Sequence, residues 1–357
     1  MVRVPSRISR VPLYRPPLGG RSGVRLDFNE NTAGCSPRVL ERLKSLTGEE
    51  IARYPEREPV EGAVAKFLGI DAGELLLTNG VDEAIHLLCE AFLEPGDEVL
   101  IVVPTFSMYQ ISAAATGARV VEVPAGAEFR FPAREVLARI TPDTRLIAIA
   151  NPNNPTGVSA SPADLLQIAC SAPHAAVLVD EAYFEFCGDT LLREWRTLPN
   201  LFVARTFSKA HGLAALRIGA LAGNSESVSA IRRIASPYNV NGVALALLPA
   251  AIADEEYVRD YVEQVCCGRA RLEAALGESG IQYWPSRANF VLARFGPSKD
   301  DFIRGMRERH ILVRDRSNDY GCAGCVRITL GTVDHTEQLL TAFREVLQEM
   351  EARAARA

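Results

Sequence analysis

The chain has 357 residues, with 39 Lys and Arg against 44 Asp and Glu, a net charge of −5. Hydrophobic residues at 48% and charged residues at 23% are globular proportions, which exclude a disordered or fibrous protein, and the length suggests about two domains. The charge balance gives no overall pull toward nucleic acid or an anionic membrane, and no apolar run approaches the ~18 residues of a spanning helix.

The first 26 residues hold six arginines and no acid, a bias shared with organellar transit peptides. Pro5, Pro12, Pro16 and Pro17 would break the amphipathic helix that such a peptide needs, so the segment reads as an arm of a cytoplasmic protein. Short apolar runs then predict strands at 75–77, 98–103, 119–123, 146–150, 176–180, 201–204 and 218–222. Between them lie helical patterns. Residues 81–92 place Ala84, Ile85, Leu88 and Phe92 on one face, and Ser161-Pro162 with Asp164 starts another helix. Strand–helix alternation predicts an α/β domain with a largely parallel sheet, its ligand outside the carboxyl ends of the strands. After about residue 255 the rhythm changes. A long helix over 257–276, strands at 289–293 and 326–330, and helices at 299–309 and 336–351 predict a smaller α+β unit. Eight scattered cysteines form no disulfide framework, and the single C-x-x-C, Cys322 to Cys325, lacks the second pair of a zinc ribbon, so no metal site is expected.

Three polar segments follow apolar strands: Asn151 to Gly157, Asp180 to Tyr183, and Arg205 to Ala210 with Arg217 beyond it. The parallel-sheet rule brings Asn154, Asp180, Tyr183 and Lys209 to one edge. A pyridoxal 5'-phosphate site needs this set. A lysine amine forms the Schiff base, a carboxylate keeps the pyridine nitrogen protonated, and donors hold the ring hydroxyl and the phosphate. Those roles fall to Lys209, to Asp180, to Asn154 with Tyr183, and to Thr206, Ser208 and Arg217. Each piece alone has a plainer reading: Asp180 as a helix N-cap, Tyr183 as a core aromatic, Ser208-Lys209 as a nucleotide-phosphate contact. Order and strand context together favour the cofactor.

With these motifs the sequence resembles the fold-type-I pyridoxal-phosphate aminotransferases, and among them the histidinol-phosphate aminotransferase family. The likeness spans nearly the whole chain, from Leu26-Asp-Phe-Asn-Glu-Asn31, Arg53-Tyr-Pro-Glu56 and Thr78 to Ala84, through Pro104 to Tyr109, to Val326-Arg-Ile-Thr-Leu-Gly331. It implies a large domain with a mostly parallel seven-stranded sheet flanked by helices, over residues 36–255. A smaller α+β domain, residues 256–357, is joined by an N-terminal arm, 1–35. It implies that Gly80, Val81 and Asp82 receive the cofactor phosphate at a helix N-terminus and that Phe106 stacks on the ring. Tyr54 would reach the cofactor of a neighbouring subunit, making a homodimer with shared active sites. Arg327 would take the substrate carboxylate, Arg314 a substrate phosphate, and Tyr14 and Asn31 would lie by the substrate side chain. The implied reaction is ping-pong transamination from L-histidinol phosphate to 2-oxoglutarate, giving imidazole-acetol phosphate and L-glutamate in histidine biosynthesis. An aromatic amino-acid aminotransferase and a threonine-phosphate decarboxylase are the alternatives among enzymes. A catalytically silent sensor of another class would need a fused DNA-binding domain, and no helix-turn-helix pattern is present.

Overall fold

A computed structural model describes residues 2–9, 11–15 and 19–355; Pro16 and Pro17 lie outside the described residues. Thirteen strands are described: β1 (Val24–Arg25), β2 (Leu75–Thr78), β3 (Glu98–Val103), β4 (Arg119–Pro124), β5 (Thr144–Ala150), β6 (Ala176–Asp180), β7 (Leu201–Thr206), β8 (Gly219–Gly223), β9 (Gln282–Trp284), β10 (Phe290–Arg294), β11 (Ile311–Leu312), β12 (Arg314–Asp315) and β13 (Cys325–Thr329). Seven make one sheet in the order β2-β8-β7-β6-β5-β3-β4. Every neighbouring pair is parallel except those of β8, which runs antiparallel to both β7 and β2.

The central strands are continuous apolar runs because helices cover both sheet faces. All five residues of β6 are buried. The strand alternation sorts them: Val177, Val179 and Val203 enter the cluster on one face, and Leu178, Phe202 and Ala204 the cluster on the other. The helix Val81–Phe92 buries Ala84, Ile85 and Leu88 in this second cluster, the face that its spacing predicts. It starts at Gly80, whose φ of 77° is costly for any side chain.

A second sheet, β12-β13-β10-β9, is antiparallel. The helices Glu255–Glu278, Lys299–Glu308 and Val333–Ala354 pack with it around Phe290, Ile328, Phe302 and Phe343. The first and last of these approach closely at Gly268, where an added Cβ would lie 2.6 Å from Thr336 Oγ1. The N-terminal segment joins this unit. β1 pairs in parallel with β11, Leu26 is wholly buried in the same cluster, and the Thr329 N–H donates to the Leu26 carbonyl at 3.0 Å.

The predicted strands of the large sheet and the helices of the C-terminal unit are all present within a few residues. Four short strands, β1, β9, β11 and β12, were not anticipated, because two or three residues are too few to show a period. No helix among the described residues is long and apolar enough to cross a membrane.

Candidate active site

The carboxyl ends of β5, β6 and β7 open on one edge beside the point where the strand order reverses, and they deliver the three polar segments there. β5 leads into the turn with Asn154, β6 ends at Asp180, and β7 ends at Thr206, followed by Ser208 and Lys209. A cavity of about 260 Å³ at this edge is lined by these residues together with Val81, Asp82, Phe106, Tyr109, Tyr183 and Arg217. A second cavity of about 140 Å³ shares Phe28, Phe106, Asn154, Tyr183 and Lys209 with it and adds Tyr14, Asn29, Arg314, Arg316 and Arg327. The two form a continuous cleft with Lys209 between them.

Lys209 Nζ donates to the Phe28 carbonyl at 3.2 Å. Burial, reinforced by the positive charge of Arg327, pulls its amine down to about 8, so a useful fraction is neutral and nucleophilic near physiological pH. Asp180 is buried, and burial lifts its carboxyl to about 6 against two hydrogen bonds: from Tyr109 Oη at 2.6 Å and from the Ala182 N–H at 3.1 Å. Tyr183 accepts from Asn29 Nδ2 at 2.8 Å. Arg327 donates to Asn154 Oδ1 at 2.5 Å and to the Asp27 carbonyl at 2.8 Å, which leaves the Asn154 amide nitrogen to donate into the cavity. Burial and the nearby Arg316 lower the Arg327 guanidinium to about 10, where it remains charged.

At the other end of the cleft the helix Val81–Phe92 has no side-chain cap. Its free N–H groups, the hydroxyls of Thr206 and Ser208, and the Arg217 guanidinium converge on the first cavity. Arg217 has a left-handed backbone, φ 52°, and pairs with Asp82 at 3.1 Å.

Three expected residues line neither cavity: Gly80, the N-cap of the helix Val81–Phe92, Asn31, and Tyr54, the last expected at a neighbouring subunit's site. Tyr54 lines neither cavity of its own chain; it is 77% exposed and stacks on Tyr238 with ring centres 4.3 Å apart. Asn31 also faces away. Its amide donates to the Ala210 carbonyl at 2.9 Å and to Tyr257 Oη at 3.3 Å. The left-handed turn at Asn29, φ 56°, directs Asn29 into the cleft instead. Among the lining residues given no role from the sequence, besides Asn29, are Tyr109, Phe28 and Arg316, the last reading equally as a second phosphate contact beside Arg314 or a solvated charge. Tyr109 closes the 104–109 motif but acts through Asp180, 71 positions away. Phe28 lines both cavities, as its place in the 26–31 motif allows. Arg316 continues the β12 ladder, its N–H donating to the Cys325 carbonyl at 3.0 Å. Strand alternation, which puts i and i+2 on one face, was the available signal that it accompanies Arg314.

Residues 21–343 match the family described as aminotransferase class I and II. The chain is 35% identical over 337 residues to the histidinol-phosphate aminotransferase of Geobacillus sp. (strain WCH70), across 91% of this chain and 90% of that protein. It is 38% identical over 322 residues to that of Paracoccus denitrificans (strain Pd 1222), across 88% and 86%. The histidinol-phosphate aminotransferase of Sinorhizobium meliloti, solved in complex with pyridoxal-5'-phosphate, superposes with a TM-score of 0.88 over 98% of this chain and 99% of that one, at 25% identity. The chain belongs to the class I and II aminotransferases. It is a transaminase with the fold-type-I architecture, and pyridoxal 5'-phosphate is its cofactor.

The donor set fits that group. An uncapped helix terminus with two hydroxyls and an arginine suits a phosphate dianion. A buried carboxyl with no cationic partner among the described residues, its ionised form disfavoured, is relieved by a pyridinium N–H. The cofactor supplies an electron sink for charge left on the substrate carbon when its proton departs.

Proposed function

We propose that this transaminase moves the amino group of L-histidinol phosphate to 2-oxoglutarate, giving imidazole-acetol phosphate and L-glutamate. The observation that carries the reading is a pair of buried guanidinium N–H groups without a partner among the described residues, Nη1 of Arg314 and Nε of Arg327. Both residues line the second cavity, where Arg316 adds a third guanidinium. Arg316 pairs with Asp319 at 2.5 Å. Buried donors left open demand acceptors, and phosphate and carboxylate oxygens provide them in the paired geometry a guanidinium prefers. The relatives named for this activity, at 35% and 38% identity, support the same substrate.

In this scheme Lys209 Nζ would hold the cofactor and, once released, carry the proton from the substrate's α-carbon to the cofactor carbon two atoms away. Asp180, with Tyr109 behind it, keeps the ring nitrogen protonated. Asn154 and Tyr183 donate to the ring hydroxyl, and Phe106 covers the ring face. Gly80, Val81, Asp82, Thr206, Ser208 and Arg217 form the phosphate cup. Arg327 grips the carboxylate of glutamate, Arg314 with Arg316 the substrate phosphate, and Tyr14 stands at the entrance. Asn29 replaces Asn31 as the asparagine beside the substrate.

The polypeptide divides into an arm (1–35), a cofactor domain (36–255) and a small domain (256–357). The pairing of β1 with β11 supports assigning the arm to the small domain. The enzyme works in the cytoplasm as a homodimer in which Tyr54 completes the partner's phosphate cup. Support comes from the exposed Leu40, Leu43, Ile51, Tyr54 and Tyr238, an apolar set suited to burial against a second copy. The test is glutamate formation from histidinol phosphate and 2-oxoglutarate, with phenylalanine and threonine phosphate as competing substrates. Preference for phenylalanine, or carbon dioxide release from threonine phosphate, overturns the substrate assignment.

A further inference from the structure

A crevice of about 780 Å³ lies between the chain after β6 and the start of the helix Glu255–Glu278, and it shares no lining residue with the two cavities around Lys209. Much of its wall is apolar, including Phe67, Leu192, Val258 and Val262. Two of its polar side chains have open valences. His211 is 3% exposed, and neither ring nitrogen has a hydrogen-bond partner among the described residues, Nδ1 being fully enclosed. Glu185 is half-buried, with Oε2 enclosed and unpartnered among the described residues. Leaving such groups unmatched costs about 1–3 kcal/mol each.

The charges around them decide what kind of occupant fits. Arg205, the cation nearest the floor, is committed: it bonds Glu181 at 2.8 Å and Thr190 at 2.9 Å and lies over the Phe184 ring. Arg259, at the mouth, has Glu256 and Asp260 within 3.9 Å, and Arg193 is exposed. Glu255 and Glu263 add negative charge at the rim. Burial keeps His211 neutral, its imidazolium pushed down to about 4, and lifts the Glu185 carboxyl to about 7. Of the two lining residues with an enclosed, unpartnered polar atom among the described residues, the one that can carry charge near neutrality is thus an acid, and the other is a neutral imidazole that can accept a hydrogen bond.

We propose that this crevice is a binding site for a small organic ammonium ion: an N–H⁺ head seated between Glu185 and His211, with an apolar body against Phe67, Val258 and Val262. The cation would offset the charge of Glu185 and donate its N–H to His211. The site is separate from transamination, although His211 stands two residues from Lys209 on the same loop.

The probe is N,N-dimethylbenzylamine, a tertiary amine that carries one N–H⁺ and cannot condense with an aldehyde at Lys209. Calorimetric titration of the holoenzyme near pH 7.5 should give saturable binding with unchanged cofactor absorbance. Benzoate, with a similar body and the opposite charge, should not bind. Glu185→Gln, which keeps shape and folding, should weaken the probe by about tenfold or more, because the charge that offsets the ammonium is gone while the His211 contact remains. Val262→Phe should abolish binding by filling the crevice, with turnover as the check on folding. No binding up to about 10 mM, equal binding of benzoate, or full affinity in Glu185→Gln would overturn the proposal.

Discussion

Replacing Tyr109 by Phe removes one oxygen atom from beneath the cofactor cavity. Its hydroxyl donates to Asp180 Oδ2 at 2.6 Å, and both side chains are buried, at 1% and 4% exposure. Burial raises the Asp180 carboxyl to about 6 while this bond and the one from Ala182 oppose the rise. A hydrogen bond to a buried charged acceptor is worth about 1.5–3 kcal/mol, equivalent to roughly 10- to 150-fold in an equilibrium. With the donor gone, the ionised form loses that support, so the carboxyl moves further up and its charge is lost at higher pH than in the wild type. The ring itself stays anchored: Phe106 meets it edge-on at 5.9 Å, so folding should be preserved. Measured as kcat/KM for the holoenzyme from pH 6 to 9, Tyr109→Phe should fall by about 10- to 100-fold at neutrality and recover partly on the alkaline side. Activity within twofold of wild type throughout would refute the reasoning. So would a uniform loss with no displacement of the acid limb, since that would mean a packing defect rather than a change in Asp180.

Lys209→Ala should lose transamination by at least about a thousandfold, and borohydride should fix the cofactor to the wild type but not to the variant; fixation in both would make another lysine the attachment point. Arg314→Ala should lower kcat/KM for histidinol phosphate by about 10- to 100-fold while changing that for phenylalanine far less; equal losses would remove its role at the phosphate. In the apoprotein, Asp180 has a folded value raised from 3.8 to about 6, so the native state binds the proton more tightly than the unfolded chain. Its contribution to stability is therefore most favourable below pH 4 and declines through pH 6, by about 3 kcal/mol in all. Stripped of cofactor, Asp180→Asn should melt higher than wild type at pH 7.5 and converge with it near pH 4, and an unchanging gap would contradict the sign. Mixing Tyr54→Ala with Lys209→Ala subunits should restore up to about a quarter of wild-type activity through heterodimers with one intact site, whereas no recovery would mean that Tyr54 serves its own chain.

The sequence by itself determined the central strands, the helix Val81–Phe92 and most of the polar residues that line the cleft. Each of these is local: an apolar run, a helical spacing, or a polar motif at a strand end. Lys209, Asp180, Asn154 and Arg217 were legible because each stands beside the strand that delivers it. Other features depend on residues far apart in the chain. The direction of β8 leaves no trace in its composition, since a buried strand reads the same either way. The turn at Asn29 sends Asn31 to the Ala210 carbonyl, 179 positions away, and Tyr109 finds Asp180 across 71. Arg327 meets Asn154 across 173 residues, and the Arg327–Asp27 contact spans 300. Such bonds are set by how sheets and helices pack, about which local propensity carries no information. The same holds for charge. A mild −5 over the whole chain says nothing of three arginines around one cleft, or of an unpaired Glu185 in another, because only the fold decides which charges share a desolvated space.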